Sequence, residues 1–153
     1  MKTLLGWRPL WLLILYILLD TVCIGMGMGV PIFCILLGFV VGWFAVRYVT
    51  SRVDGMNHVF RGVLRYCLVA AGFTLLAMLV LWGPFTSYLF DPAKDVANSG
   101  IPMILFEPQA SFIGWIVLMV LISPFLQLLT ALFSAYLALM GWLDWNAHDQ
   151  KAV

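Results

Sequence analysis

The sequence predicts an all-α integral membrane protein, a four-transmembrane-helix bundle that forms a single domain over residues 1–153. The composition is the first observation behind this prediction. Of the 153 residues, 64% are hydrophobic and only 10% are charged, and the mean hydropathy is +1.05. A soluble domain is roughly half apolar and about a quarter charged. A membrane protein is therefore expected, and the net charge of +1 argues against nucleic-acid binding.

Apolar stretches that could cross a bilayer, which takes about 20 residues, are the second observation. They cover about residues 9–27, 31–47, 63–84 and 111–143. Each is expected to be helical, because backbone donors and acceptors in lipid must find partners within their own segment. The fourth stretch is longer than one crossing needs, and Pro124 inside it removes a backbone hydrogen bond. A long fourth helix with a kink at Pro124 is therefore predicted.

The distribution of basic residues is the third observation, and it predicts the orientation. Seven of the eight basic residues lie on one side of a four-crossing topology: Lys2, Arg8, Arg47, Arg52, Arg61, Arg65 and Lys151. Because basic residues concentrate in cytoplasmic loops, both termini and the loop around residues 48–62 are expected in the cytoplasm. The expected setting is a prokaryotic cell (inner) membrane.

The connections follow from this topology. Gly25, Gly27, Gly29 and Pro31 predict a tight external hairpin between helices 1 and 2, because glycine permits positive φ and proline suits a first helical turn. The loop of about residues 85–110 is then also external. Its apolar run IPMILF is expected to lie along the membrane interface or to contact a partner.

Asp20 is the most unusual residue of the first span. At 1.5 Å per residue from Arg8, it lies about 18 Å into the membrane, a little beyond the midplane. A carboxylate at this depth costs at least about 2.5 to 3.5 kcal/mol, so it should face the bundle interior or a cavity. Tyr16 lies one turn earlier on the same helical face. Asp20 is interpreted either as a proton- or cation-coupling group or as a structural carboxyl bonded within the bundle.

One polar stripe in the fourth span offers partners for Asp20. It consists of Ser123, Gln127, Thr130 and Ser134, whose spacing of i, i+4, i+7 and i+11 places them on one helical face. We expect Asp20 to contact Gln127 or Thr130. The alternative is that the serine and threonine hydroxyls bond back to their own helix and only Gln127 reaches across the bundle.

Cys23 and Cys34 lie symmetrically about the predicted hairpin, so similar depths on neighbouring helices are expected. Three interpretations stay open for them, together with Met26 and Met28. The first is a disulfide, the second is a soft-metal site for an ion such as Cu(I), and the third is ordinary packing. No metal is firmly predicted, and no cofactor is evident from the sequence.

Two ridges of small residues predict close helix packing. Gly38 and Gly42 form one ridge on the second span, and Ala131, Ala135 and Ala138 form the other on the fourth. Such ridges let helix backbones approach closely. The sequence leaves open whether they meet within the chain, between identical subunits or against another protein.

Four arginines near the cytoplasmic membrane edge are the last candidate site. Arg47, Arg52, Arg61 and Arg65 are interpreted as topology anchors, and alternatively as ligands for anionic lipid headgroups or a phosphorylated compound.

Motifs typical of enzymes are missing from the sequence, including HExxH, the nucleophile elbow and phosphate-binding glycine loops. The expected function is therefore that of a non-catalytic accessory or structural subunit of a larger membrane complex, in contact with other membrane subunits or with itself. The alternative is a small oligomeric transporter or channel in which Asp20 binds a proton, cation or substrate.

Overall fold

The computed structural model describes residues 9–26, 32–53, 55–90 and 105–149, and these residues are helical apart from short turns. The elements are α1 (Pro9–Met26), α2 (Ile32–Thr50), α3 (Met56–Trp82), a 3₁₀ segment (Gly83–Leu89), α4 (Pro108–Val117), a π-helical turn (Leu118–Ile122) and α5 (Ser123–Asp149). Within the described ranges no strand is present, so the all-α prediction is confirmed.

Three helical segments are long and apolar enough to cross a membrane: Ile32–Thr50, Met56–Leu89 and Pro108–Leu143. They correspond to the second, third and fourth predicted spans. In α1 the apolar stretch Leu10–Ile24 is shorter than these segments. A crossing by α1 therefore stays a prediction, and the predicted hairpin at 27–31 lies outside the described residues.

The break between α2 and α3 is shorter than the predicted loop around residues 48–62. Helix α2 continues to Thr50 and α3 already begins at Met56. Hydropathy marks where a helix leaves the hydrocarbon, whereas the helix itself continues as long as its backbone hydrogen bonds are made. Gly55 precedes α3 with φ +95°, a conformation that residues with a Cβ rarely adopt.

The structure has a π-helical turn directly before Pro124, where a kink was predicted. Helical structure runs through α4, the turn Leu118–Ile122 and α5 without interruption. The backbone N–H of Ser123 donates to the carbonyl of Leu118, five residues earlier. Because Pro124 has no N–H to offer, a widened turn at this point preserves the helix while changing its hydrogen-bond register.

Helices α2 and α5 make the most extensive interhelical contact of the described bundle. The two predicted small-residue ridges meet there. A Cβ added to Gly42 would lie 2.8 Å from the carbonyl carbon of Ala131 and 3.0 Å from the nitrogen of Ala135. One added to Gly38 would collide with the hydroxyl of Thr130. Both glycines are therefore required by the close approach of the two backbones.

The apolar interior lies mainly between α2, α3 and α5. Buried side chains from all three helices form its larger cluster, including Val46 on α2, Val63 on α3 and Ala135 on α5. Helix α1 lies at the periphery and exposes large apolar residues, with Leu18 60% and Val22 56% exposed. Its position therefore depends strongly on the few side chains that it turns inward.

Candidate functional site

Four polar side chains meet inside the bundle and join three helices. Tyr16 and Asp20 come from α1, Thr74 from α3 and Gln127 from α5. Asp20 and Thr74 are 0% exposed and Gln127 is 1% exposed, whereas Tyr16 is half-buried. The spacing of four residues between Tyr16 and Asp20 explains why a single face of α1 supplies both. We call these four residues the polar cluster.

Hydrogen bonds in the polar cluster converge on the carboxyl group of Asp20. The hydroxyl of Thr74 donates to Oδ2 at 2.7 Å, and Nε2 of Gln127 lies 3.4 Å from Oδ1. The same Nε2 donates to the hydroxyl of Tyr16 at 3.1 Å. That hydroxyl lies 2.9 Å from Oγ1 of Thr74 and donates to the carbonyl of Ala70 at 3.0 Å. Both carboxyl oxygens thus face donors from other helices.

This arrangement compensates part of the cost of burying a carboxyl in an apolar bundle, because the hydrogen bonds replace those to water that the group loses on burial. It also fixes α1, which has little apolar contact with the core. The expected contact between Asp20 and Gln127 is present. Thr74 was not predicted as a member of this site, although it is a lone hydroxyl on the small-residue face of α3 that also carries Ala70 and Ala71.

Two buried oxygen atoms near this site have no hydrogen-bond partner within the described part of the chain. They are Oε1 of Gln127 and Oγ of Ser123, which lies one turn earlier on α5. Both residues are essentially inaccessible, at 1% and 0% exposed. A buried polar atom without a partner carries a desolvation cost, so these oxygens leave hydrogen-bonding capacity unused on the face of α5 that carries Gln127.

The other half of the polar stripe has a different role. The hydroxyl of Thr130 donates to the carbonyl of Ile35, and that of Ser134 to the carbonyl of Phe39, both at 2.7 Å. Of the two partners predicted for Asp20, Gln127 is therefore in contact with it, whereas Thr130 bonds to α2 and, at 2.9 Å, to the carbonyl of Gln127 in its own helix. Thr130 is turned toward α2 because it lies against Gly38, where no side chain separates the two helices. Thr130 and Ser134 thus join α5 to the backbone of α2.

Cys23 and Cys34 are free thiols in the same apolar cluster, Cys34 buried and Cys23 half-buried beside it. Met78 and Met119 belong to this cluster, and the sequence analysis did not associate them with the cysteines. Met28 and the side chain of Met26 lie outside what the structure describes. Among the described residues, no three histidine, cysteine, aspartate or glutamate side chains come together.

The four predicted headgroup arginines separate into two pairs. On α2, the guanidinium of Arg47 lies 5.1 Å from the ring centroid of Trp43. The guanidinium of Arg52 lies 4.4 Å from the centroid of Tyr48. Arg61 and Arg65 instead line an open groove on the outward face of α3. The second pair is thus combined with a concave surface.

The fold and the polar cluster indicate a class: an apolar helical bundle of the integral membrane type, held together by buried interhelical hydrogen bonds. No protein-family model, no curated protein and no solved structure matches this chain. The proposals below therefore depend on its own residues.

Proposed function

We propose that this chain is a non-catalytic subunit of a larger membrane complex, with four spans and both termini in the cytoplasm of a prokaryotic cell. The observation that carries the proposal is how the buried polar side chains are used. Asp20, Tyr16, Thr74 and Gln127 hydrogen-bond to one another. Polar groups used in this way stabilise helix association, as expected of a structural subunit.

Support for α1 as the fourth span comes from its outward face. Leu10, Leu18 and Val22 are 63%, 60% and 56% exposed, which suits contact with lipid or with another transmembrane helix. A crossing by α1 places the N-terminus on the same side as Arg47, Arg61 and Arg65. The positive-inside rule assigns that side to the cytoplasm.

A contact surface for a partner is proposed at the external end of the bundle. Phe90 is 83% exposed and Phe106 is 107% exposed. These phenylalanines flank the loop in which the sequence carries the apolar run IPMILF. Large aromatic side chains outside the spans are costly to leave in water and are typical anchors of protein interfaces.

Purification of the tagged chain from native membranes in lipid nanodiscs, followed by mass spectrometry, tests this proposal. We expect other polypeptides in fixed proportion to the chain. The double variant Phe90→Ser/Phe106→Ser should lose most of them, because anchor residues carry a large part of an interface's binding energy. Phe60→Ser is the matched control, since Phe60 is 59% exposed at the opposite end of α3.

A chain recovered alone, or only with copies of itself, would contradict the subunit proposal. Equal loss of the other polypeptides in the Phe60→Ser control would contradict the assignment of the interface to the external end.

One observation favours a second function, a small oligomeric transporter of protons or cations. Asp20 is a buried carboxyl, and the neighbouring oxygens of Gln127 and Ser123 have no partner within the described residues. Oxygen atoms of carboxyl, amide and hydroxyl groups are the ligands that hard cations and protonated waters prefer. Transport would require copies of the chain to assemble around a pathway.

For this second function, proteoliposomes containing only the purified chain should show a proton or sodium flux, and Asp20→Asn should reduce it to the background leak. Thr21→Val is the matched control, because the Thr21 hydroxyl is exposed and donates to Ile17 in its own helix. A flux that persists in Asp20→Asn, or a chain without any flux, would exclude Asp20 as a transport site.

A further inference from the structure

The outward face of α3 carries an open groove of about 340 Å³, lined by Arg61, Leu64, Arg65, Leu68 and Val69. These residues follow a helical spacing of three and four, so they form one continuous strip along the helix. All five are exposed. The groove is therefore a surface of the bundle that faces outward, separate from the polar cluster.

Arg61 and Arg65 are exposed, and they line the groove mainly with the apolar stems of their side chains. Neither Arg61 nor Arg65 forms an ion pair with a carboxylate among the described residues. Arg47 and Arg52 differ, because each already stacks on an aromatic ring of α2. Two guanidinium groups one turn apart suit the oxygens of a phosphate, which arginine binds with several parallel hydrogen bonds.

An apolar track continues from the arginines along the same face of α3. Leu68 and Val69 are 50% and 49% exposed, and Leu76 further along is 63% exposed. Between them Gly72 leaves a shallow slot, since no atom lies within 4 Å of a Cβ built there. The strip thus changes from cationic to apolar in the order in which a phospholipid changes from headgroup to acyl chain.

We propose that this strip of α3 is a binding site for one anionic phospholipid. Its phosphate is held by Arg61 and Arg65, and an acyl chain lies along Leu68, Gly72 and Leu76. A soluble phosphate compound would leave the apolar track unused. The inference goes beyond the proposed function, because it applies equally to a complex subunit and to a transporter.

Native mass spectrometry of the purified chain with an equal mixture of dioleoyl phosphatidylglycerol and dioleoyl phosphatidylcholine tests the site. We expect preferential retention of phosphatidylglycerol. Arg61→Gln/Arg65→Gln should weaken this preference by about 30-fold, given the attraction that two basic side chains exert on anionic lipid. Arg47→Gln/Arg52→Gln removes the same charge from the end of α2 and the turn that follows it, and should retain the preference.

Two further variants separate binding from charge-dependent insertion. Arg61→Lys/Arg65→Lys keeps the charge that sets topology and should retain most of the preference. Gly72→Leu fills the slot with both arginines intact, and should lower retention of phosphatidylglycerol.

Two results would overturn the site. One is that the lipid preference of Arg61→Gln/Arg65→Gln equals that of the wild type. The other is that the preference falls equally in Arg47→Gln/Arg52→Gln. Displacement of the lipid by millimolar inorganic phosphate, or unchanged retention in Gly72→Leu, would overturn its assignment to a phospholipid.

Discussion

Replacing Gly42 by alanine is expected to destabilise the bundle by about 1–3 kcal/mol, the usual cost of overpacking a filled interior. The added methyl group would overlap the carbonyl of Ala131, and backbone atoms cannot rotate away as a flexible side chain can. Helices α2 and α5 would have to separate. Their separation would also lengthen the hydrogen bond from Ser134 to the carbonyl of Phe39.

The measurement is the midpoint of unfolding as sodium dodecyl sulfate is added to mixed micelles, followed by circular dichroism and tryptophan fluorescence. Gly141→Ala is the matched control on α5, because no atom lies within 4 Å of a Cβ at Gly141. Its stability should change by less than about 1 kcal/mol, in the direction of stabilisation. A Gly42→Ala chain as stable as the wild type would show that the two backbones do not depend on their close approach.

Replacing Asp20 by leucine is expected to release α1 from the bundle at a cost of about 1–3 kcal/mol, because the two interhelical hydrogen bonds to its carboxyl oxygens are lost. The hydroxyl of Thr74 and the amide of Gln127 would lose the oxygens that they face. A leucine side chain is also accommodated equally well by lipid and by the bundle interior, so it does not favour the packed position of α1. Asp20→Asn retains one acceptor oxygen, so it should lower the free energy of unfolding by less, about 0.5–1 kcal/mol.

A double-mutant cycle with Asp20→Leu and Thr74→Val measures the interaction in the same unfolding experiment, because each substitution removes one side of the hydrogen bond. We expect a coupling energy of about 0.6 kcal/mol, the average for interhelical hydrogen bonds in membranes, and at most about 1.7 kcal/mol. Thr21→Val serves as the control, because the exposed Thr21 is not part of the polar cluster. Additive effects of the two substitutions would mean that the polar cluster does not fix α1.

The positions of the helices could be predicted from the sequence because a backbone in lipid must satisfy its hydrogen bonds internally, which makes a helix the expected structure of each apolar stretch. Helix α1 (Pro9–Met26) covers the described part of the first predicted span, 9–27. The prediction was least accurate at the start of α3, expected at residue 63 and found at Met56. Polar residues such as Asn57 and His58 end the hydropathy signal there, but outside the hydrocarbon they do not end a helix.

The polar cluster could be predicted only in part. Asp20 and Gln127 were connected because buried polar groups need partners and few were available. The direction of Thr130 and the participation of Thr74 depend on how the helices are arranged around one another. Helical periodicity indicates which residues share a face, but it does not indicate which other helix that face contacts. The close approach at Gly38, which turns Thr130 toward α2, is a property of the assembled bundle.

The long sequence separations within the polar cluster have a consequence for biosynthesis. Thr74 follows Asp20 by 54 residues and Gln127 follows it by 107. A ribosome therefore delivers the acidic residue to the membrane well before either donor has been made. Until α3 and α5 have been made, the carboxyl group of Asp20 lacks both of its interhelical donors. Completion of α5 then supplies the last donor, Gln127, so the polar cluster can be completed only after its residues have been translated in the order α1, α3, α5.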